Sequence, residues 1–349
     1  MNKAIVLFIL FCLGLALFVY TVISVGVEQI AEAFFLLKIS EIFLVFLFLF
    51  CGSIVAGTWK WATILNEKEN IRPLIWKIFL AKWASHSMSY LTPSALFGGE
   101  PVKILVLKRA SNIPTNKLIS SVIVDKIIFF LISSIYFFIG IFFILLYLNL
   151  SWMAGMVAFS IFFIILFLFF TVLKETKKIS EKRGVLITII ERFYLNKSKF
   201  IRKHTDNIVA IEREMKNFFK ESPKRTVKAF SIGALEIGLV LTACWLTIYF
   251  MGTRLEITKL FAIRSVADIS YTLPVPGGLG IFEIGQGYLF KALGLGIAGG
   301  VAFSLVFRII SLIMAFGGML VFGWLQFQHF VYKVSRIIIN FFRLFNNND

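Results

Sequence analysis

The sequence predicts an all-α polytopic membrane protein with about six full spans and two re-entrant helical hairpins, arranged as an inverted-topology repeat. Of its 349 residues, 59% are hydrophobic and only 16% are charged, whereas a soluble domain carries about a quarter charged residues. Several apolar runs exceed the roughly 20 residues that a spanning helix needs. Two further regions combine Pro, Gly and charges within apolar sequence, which is typical of broken helices around a membrane site.

The order of the apolar runs predicts three spans in the first half of the chain. The first is expected at about Ala4–Ser24 and the second at about Ile42–Leu65, with an acidic loop between them outside and a basic loop after them inside. The first run follows Lys3 and resembles a signal peptide, but it is long and lacks a clear small-residue cleavage site, so we interpret it as an uncleaved helix. The third span is expected at about Leu118–Leu148.

Three more spans are expected at about Met153–Leu173, Val227–Phe250 and Gly300–Leu325. Residues 174–226 combine an excess of Lys and Arg with an apolar stripe at helical spacing. This pattern predicts a cytoplasmic amphipathic helix, either lying on the anionic inner leaflet or packed against the bundle, and a helical linker is the alternative. The basic tail at 329–349 is also predicted to be inside, so both termini would face the cytoplasm from the inner membrane.

These elements divide a single membrane domain, residues 1–349, into two halves. The first repeat half is expected at 1–148 and the second at 227–328, with a connecting span at 149–173. The span before the first interrupted region crosses from outside to inside, and the span before the second crosses from inside to outside. The two halves are therefore predicted to be inverted in the membrane plane.

The two interrupted regions carry related sequences. SYLTP at Ser89–Pro93 leads to GGE at 98–100, and SYTLP at Ser270–Pro274 leads to PGGLG and then Glu283. Proline cannot continue a helix, and glycine permits backbone conformations that other residues avoid. Short Gly/Pro-interrupted segments at matching positions of two inverted halves indicate a binding site near the bilayer midplane.

Charged residues cluster beside both breaks, where an unpaired buried charge would cost several kcal/mol. Basic side chains and the free N–H groups of a newly started helix suit a phosphate group. Apolar walls would suit hydrocarbon tails, so the predicted ligand is a lipid with a phosphate head group. Glu100 and Glu283 have two interpretations, which are compatible: they cap helices and pair with a neighbouring cation, or they bind the ligand.

The composition and motifs argue against other classes of protein. The net charge of +17 is attributed to positive-inside topology and anionic inner-leaflet lipids, because no zinc or RNA-binding pattern indicates nucleic acid. The sequence contains no G-x-S-x-G, H-E-x-x-H or P-loop motif, and no cofactor or metal is expected. We interpret His86 as a satisfied buried histidine, and Glu236 as a polar contact between helices or a proton-coupling acid.

GGEPVKILVLKR (Gly98–Arg109) and PVPGGLGIFE (Pro274–Glu283), with Arg308 in the last apolar run, resemble the lysylphosphatidylglycerol synthase transmembrane-region family over nearly the whole chain. The resemblance implies an inverted-repeat, multi-helix fold with re-entrant segments. It also implies translocation of a lipid such as aminoacylated phosphatidylglycerol or an isoprenoid-linked intermediate. The family more often has arginine where Lys103 and Lys126 stand, and lysine keeps the charge without the bidentate geometry.

The residues and the resemblance together favour a lipid flippase over an enzyme, because the soluble aminoacyl-transferase domain of fused family members is absent from the sequence. The alternatives are an integral-membrane transferase acting on a lipid-linked substrate and a non-catalytic partner of a lipid-modifying enzyme. Small residues at Ala292, Gly296 and Gly300 also permit close helix contact within one chain or between copies. The predicted substrate-binding residues are Gly98, Gly99, Glu100, Lys103, Asp125, Lys126, Arg264, Asp268, Pro276, Gly277, Gly278, Gly280, Glu283 and Arg308.

Overall fold

A computed structural model describes residues 3–65, 72–92, 98–147 and 199–346, and these residues form helices without any strand. The α-helices are α1 (Lys3–Val25), α2 (Val27–Phe35), α3 (Ile39–Phe50), α4 (Gly57–Leu65), α5 (Ile75–Leu91), α6 (Glu100–Ala110), α7 (Thr115–Tyr147), α8 (Lys199–Glu221), α9 (Pro223–Phe250), α10 (Ile257–Thr272), α11 (Ile281–Ala292) and α12 (Ile297–Asn346). A π-helical turn at Cys51–Ala56 joins α3 to α4, and short 3₁₀ turns lie at Arg72–Leu74 and Pro276–Gly278.

Four helical segments in the described part of the chain are long and apolar enough to cross a membrane: Ile39–Leu65, Thr115–Tyr147, Pro223–Phe250 and Ile297–Gln328. The first predicted span corresponds to α1, which bends by 86° into α2, so the bent pair can supply a fifth span. The segment predicted as an acidic loop is therefore largely the helix α2, with Ile30 buried against the bundle. The predicted all-α membrane fold is confirmed.

Several predicted elements lie partly or wholly outside the described residues. The expected span at Met153–Leu173 is among them, as is the first half of the basic segment at 174–226. The second half of that segment forms α8, which packs on α7 and α9. Phe218 is buried there beside Ile64 and Ile128, so this helix packs against the bundle, one of the two positions expected for it.

Each interrupted region folds as two short helices instead of one span. The first region forms α5 and α6, of 17 and 11 residues, and the second forms α10 and α11, of 16 and 12 residues. At 1.5 Å per residue the longest of these is about 25 Å, less than the roughly 30 Å of a bilayer core. The two helices of each pair pack on each other. The structure therefore has two helix pairs of the kind expected from the Pro/Gly breaks.

The two pairs pack reciprocally on the long helices of the opposite half. The α5 helix lies along α12, and α10 lies along α7. At the first crossing, Trp83 Nε1 donates to the Met314 carbonyl at 2.9 Å, and Ser87 Oγ lies over Gly318. At the second crossing, Ser265 Oγ donates to the Phe137 carbonyl at 3.2 Å and lies over Gly140. Serine and glycine thus permit close backbone approach at both crossings.

Apolar packing surrounds these crossings. The largest buried cluster joins α3, α9, α10, α11 and α12, and a second cluster joins α4, α5, α6 and α7. Trp61 is fully buried in the second cluster and donates its indole N–H to Ser121 Oγ at 3.0 Å. This hydrogen bond satisfies the one polar group of a large apolar side chain and fixes α4 beside α7.

Replacing Gly318 with alanine is expected to destabilise the protein by about 1–3 kcal/mol. A Cβ at Gly318 would lie 2.0 Å from Ser87 Oγ and 2.6 Å from the Trp83 carbonyl oxygen, so α5 and α12 would have to separate. Gly323→Ala is the matched control on the same helix, because nothing lies within 4 Å of its added Cβ. Thermal unfolding in detergent checks the pair, and equal melting temperatures would contradict the packing at this crossing.

Candidate functional site

A cavity of about 230 Å³ lies inside the bundle, bounded by α3, α4, α5, α6, α7, α9, α10 and α12 and by the π-helical turn. Both halves of the chain contribute to its walls. Its polar lining consists of Ser53, Lys60, Lys82, Ser85, His86, Ser89, Tyr90, Glu100, Lys103, Asp125, Lys126, Tyr136, Glu236, Arg264, Asp268, Tyr271 and Ser311. Such a concentration of ionisable groups within an apolar bundle identifies a candidate functional site.

Lys60 lies at the centre of an ion-pair network in this cavity. Its ammonium group contacts Asp125 at 3.0 Å and Glu236 at 2.7 Å, so it joins α4 to α7 and α9. The Lys60 side chain is only 1% exposed. Charges removed from water in this way are tolerated when each has close partners of opposite sign, and Lys60 has two. The interpretation of Glu236 as a polar contact between helices is confirmed by this pair.

The same network continues through Lys103 to the first helix pair. Lys103 contacts Asp125 at 2.9 Å and Glu100 at 2.8 Å, and Glu100 in turn contacts Lys126 at 2.8 Å. Glu100 is the first residue of α6, where the partial positive charge of a helix N-terminus favours a carboxylate. The turn before it is held by the Gly99 N–H, which donates to Ser89 Oγ at 3.0 Å. The glycine turn of the first pair therefore places Glu100 against both lysines.

A second charged group lines the cavity on α10 and α7. Arg264 and Asp268 stand four residues apart on α10 and form an ion pair at 2.6 Å, as i,i+4 residues share a helix face. The Tyr136 hydroxyl donates to the other Asp268 oxygen across the α7–α10 contact. Asp125 and Tyr136 are 11 residues apart on α7, so the two charged groups are separated by about 16 Å along that helix.

A third group surrounds the turn of the second helix pair. Gly277, Gly278 and Gly280 have φ values of 57°, 62° and 77°, a backbone region that strongly favours glycine. Beyond this turn, the fully buried Glu283 accepts a hydrogen bond from the Gly280 N–H at 2.8 Å and another from Arg308 Nε. Glu283 therefore both caps α11 and pairs with α12.

Tyr90 connects this third group to the cavity. Its hydroxyl accepts a hydrogen bond from Arg308 Nη1 at 3.4 Å, and its ring packs on Gly277, where an added Cβ would lie 3.0 Å from Cζ. Tyr90 is near the end of α5 and also lines the cavity. The C-terminal end of α5, in the first helix pair, thus contacts the glycine turn of the second pair.

The structure distributes the predicted site residues among three neighbouring places. Those that line the cavity are Glu100, Lys103, Asp125, Lys126, Arg264 and Asp268. The Pro276–Gly280 turn, Glu283 and Arg308 form the adjacent group, and Gly98 and Gly99 belong to the turn that leads into α6.

Several polar residues of the cavity are not among the predicted binding residues, and Lys60, Lys82, His86 and Tyr136 are examples. Lys60 and Tyr136 lie within predicted spans, and a lysine inside an apolar run is itself a signal for a functional group. Lys82 lies on α5, in the first interrupted region, and has no predicted role. His86, expected to be a satisfied core histidine, is half-buried and lines the cavity. Within the described residues, no group of three or more His, Cys, Asp or Glu could hold a metal ion.

The fold and this cavity define a multi-pass α-helical membrane protein with a buried charged site. The chain belongs to the lysylphosphatidylglycerol synthase transmembrane-region family, whose profile matches residues 4–317. It is also 26% identical over 316 residues to a UPF0104 membrane protein of Pyrococcus horikoshii, an alignment that covers 87% of this chain and 92% of that protein. No solved structure matches the chain. The expected family is confirmed, and the cavity lies entirely within the matched residues.

Asp125→Asn is expected to destabilise the protein by about 3–5 kcal/mol, because it leaves Lys60 and Lys103 buried beside a neutral amide. Glu256→Gln is the control, since its carboxylate is 70% exposed and lies 3.7 Å from Lys259; exposed pairs contribute about 0–1 kcal/mol. Denaturant unfolding in detergent micelles measures both. A small effect of Asp125→Asn, similar to that of the control, would show that the network does not hold α4, α6 and α7 together.

Proposed function

We propose that this protein is a flippase that moves a lipid with a phosphate head group between the leaflets of the cytoplasmic membrane. The observation that carries this proposal is a cavity lined by lysines and carboxylates inside a bundle whose outer surface is apolar. The cavity offers cations to a phosphate group, and the apolar surface of the bundle suits acyl chains. The chain belongs to a family named after the membrane region of a lipid synthase, which supports the same class of substrate.

The physical requirement for lipid flipping is a polar path for the head group. An ionised group in hydrocarbon costs several kcal/mol or more, so unassisted crossing is slow. In this cavity, fixed ammonium and carboxylate groups replace the water that the head group leaves behind. The charged group at Asp125 and the charged group at Asp268, which contacts α7 through Tyr136, lie about 16 Å apart along α7. Together they supply polar contacts over about half of a 30 Å bilayer core.

The reciprocal packing of the two helix pairs supports an inverted repeat. In many transporters, inverted halves hold the substrate at their interface, and movement of one half against the other exposes the site to each side in turn. Here α5 packs on α12 and α10 packs on α7, which is the exchange of partners expected for two halves related by a two-fold axis. The contact of Tyr90 with Arg308 and Gly277 lies where both pairs meet.

The proposed orientation of the protein in the membrane follows from the distribution of Lys and Arg. We place residues 174–226, the C-terminal tail and the N-terminus in the cytoplasm, because Lys and Arg are retained on that side. The α6–α7 connection would then be cytoplasmic, and the α9–α10 connection would be outside. The first helix pair thus enters from the cytoplasm and the second from the opposite face.

Cysteine labelling tests this topology. In a background without the three native cysteines, Glu256→Cys is expected to react with a membrane-impermeant maleimide in intact bacterial spheroplasts. Asn112→Cys, which is exposed like Glu256, is expected to react only after the membrane is permeabilised. Reaction of both positions from the same side would contradict the inverted arrangement.

Blocking the cavity is expected to stop lipid transfer. Ser311→Trp places an indole inside the cavity from α12, whereas Ile309→Trp on the same helix adds it to the exposed surface, where Ile309 is 41% exposed. Proteoliposomes with a trace of fluorescent phosphatidylglycerol report transfer through quenching by dithionite. The wild type and Ile309→Trp should transfer the lipid, and Ser311→Trp should be slower by tenfold or more, that is by about 1.4 kcal/mol in the barrier.

Two results would contradict the proposal. Equal transfer by both tryptophan variants, each with a normal gel-filtration profile, would show that the lipid does not pass through this cavity. Conversion of the lipid to a new species by the purified protein, detected by mass spectrometry, would instead indicate that the protein is a membrane transferase.

A further inference from the structure

A groove on the outer face of α6 is separate from the cavity. Its volume is about 500 Å³. Its described lining consists of Pro101, Ile104, Leu105, Lys108 and Arg109 of α6 and Thr115 of α7. None of these residues lines the cavity, although Glu100, the residue directly before the groove, does. The helix α6 thus stands between the charged interior and this groove.

The sequence of α6 gives the helix two opposite faces. Lys103, Val106 and Leu107 are buried on the face towards α5 and α7. The groove residues recur at positions 101, 104, 105 and 108, which is the spacing of one helix face. The first three of these, Pro101, Ile104 and Leu105, form an apolar stripe, and Leu105 is 39% exposed. The outer face of α6 is therefore apolar along most of its length.

The two cations of the groove lie at one end of the apolar stripe. Lys108 is seven residues beyond Pro101, about 10 Å along the helix, and Arg109 follows it. In the proposed orientation the C-terminal end of α6 faces the cytoplasm, and its N-terminal end lies within the bilayer. A phospholipid of the inner leaflet has the same polarity, with its charge at the surface and its acyl chains deeper.

Neighbouring residues position the cationic end of the groove. Arg109 Nη1 donates to Gln326 Oε1 of α12 at 2.6 Å, and this partner is a neutral amide. A guanidinium has five N–H donors and matches the geometry of two phosphate oxygens. Cations in the last turn of a helix also stabilise its dipole, but the Ala110 carbonyl at the end of α6 already accepts from Lys77. Lys108 instead lines the groove.

The groove suits an anionic phospholipid better than a soluble anion or a zwitterionic lipid. Its described lining contains two cations and no carboxylate, so a negative charge is favoured there. A soluble anion would leave the apolar stripe uncovered. The choline group of phosphatidylcholine would place another cation near Lys108 and Arg109. Basic residues at the cytoplasmic surface of a membrane attract anionic lipids for the same reason.

We propose that the outer face of α6 is a docking site for one anionic phospholipid of the inner leaflet, with its phosphate at Lys108 and Arg109 and an acyl chain along the apolar stripe. This inference rests on the proposed function for the orientation of α6, and it deepens that function by naming where the lipid is held outside the cavity. Lys103 lies on the opposite face of the helix, so docking and the buried ion pairs use different side chains.

Photocrosslinking from within the groove tests this site. The photoreactive residue p-benzoylphenylalanine is introduced at Leu105 of the full-length protein, in vesicles with equal amounts of dioleoylphosphatidylglycerol and dioleoylphosphatidylcholine. Mass spectrometry of the irradiated protein gives the ratio of the two captured lipids. Capture at position 105 should favour the phosphatidylglycerol by about fivefold or more. Ile309 of α12, which is 41% exposed, is the matched position outside the groove, and capture there should follow the vesicle composition.

Charge variants identify the cause of the preference. With the photoreactive residue at position 105, Lys108→Gln combined with Arg109→Gln should return the captured ratio to that of the vesicles. Lys224→Gln combined with Lys228→Gln is the matched control, because both lysines are exposed near the start of α9 and the net charge falls equally. Gln326→Leu keeps every charge but releases Arg109, and it should lower the preference by about twofold.

Four results would overturn the docking site. Equal capture of the two lipids at positions 105 and 309 would show that α6 selects no lipid. An unchanged preference in the Lys108 and Arg109 double variant would show that these cations do not hold the phosphate. A crosslink from position 105 to a peptide of this chain would show that protein fills the groove. Loss of the preference in inorganic phosphate at millimolar concentration would show that the cations serve a soluble anion.

The failure of this site can be distinguished from the failure of the proposed function. Equal capture of both lipids at position 105, by a protein that still transfers fluorescent phosphatidylglycerol, would overturn the docking site and leave the flippase. Preferential capture by a protein that transfers no lipid would contradict the proposed function and leave the docking site. Because each variant reports a ratio of two lipids, a lower amount of folded protein leaves the measured value unchanged.

Discussion

Asp125 is the buried carboxylate on which the charged interior of this bundle depends. It forms ion pairs with Lys60 at 3.0 Å and with Lys103 at 2.9 Å, so one side chain of α7 joins both α4 and α6. Apolar packing alone sets helix positions loosely, because lipid tails and side chains such as leucine are similarly apolar. Ion pairs with defined distances restrict the rotation of each helix, and the side chains that form them also line the cavity. Stability and the proposed binding site therefore share the same residues.

The elements that sequence analysis could find are those whose signal is local. Proline and glycine mark the broken helices directly, since their effect on the backbone depends on a few neighbouring residues. The Pro276–Gly280 turn and the two short helix pairs were therefore predictable, as was the family. The ion pairs were not predictable in the same way: Lys60 and Asp125 are 65 residues apart in sequence, and Tyr136 and Asp268 are 132 apart. No periodicity within one helix indicates which distant carboxylate a buried lysine will meet.

The two halves match differently in sequence and in packing. The SYLTP and SYTLP sequences align Ser89 with Ser270, an offset of 181 residues, whereas the two serine–glycine crossings pair Ser87 with Ser265, an offset of 178. The difference of three residues is just under one helical turn. The shared letters reflect the chemistry of ending a helix before a proline, and the crossings reflect where two helices come closest. The residue at which a helix ends can shift by a turn without a shift of the helix crossing. The shared SYLTP and SYTLP sequences therefore indicated a repeat but not its contacts.

The contacts of Lys103 explain why a lysine suits this position. Its ammonium group lies 2.8 Å from Glu100, 2.9 Å from Asp125 and 5.5 Å from the centre of the Trp61 ring. A compact ammonium group can direct its three donors towards partners on three helices, whereas a planar guanidinium directs its donors within one plane. The fully buried Trp61 ring also leaves little volume for a larger head. Lysine at this position therefore favours a tightly closed network of ion pairs among α4, α6 and α7.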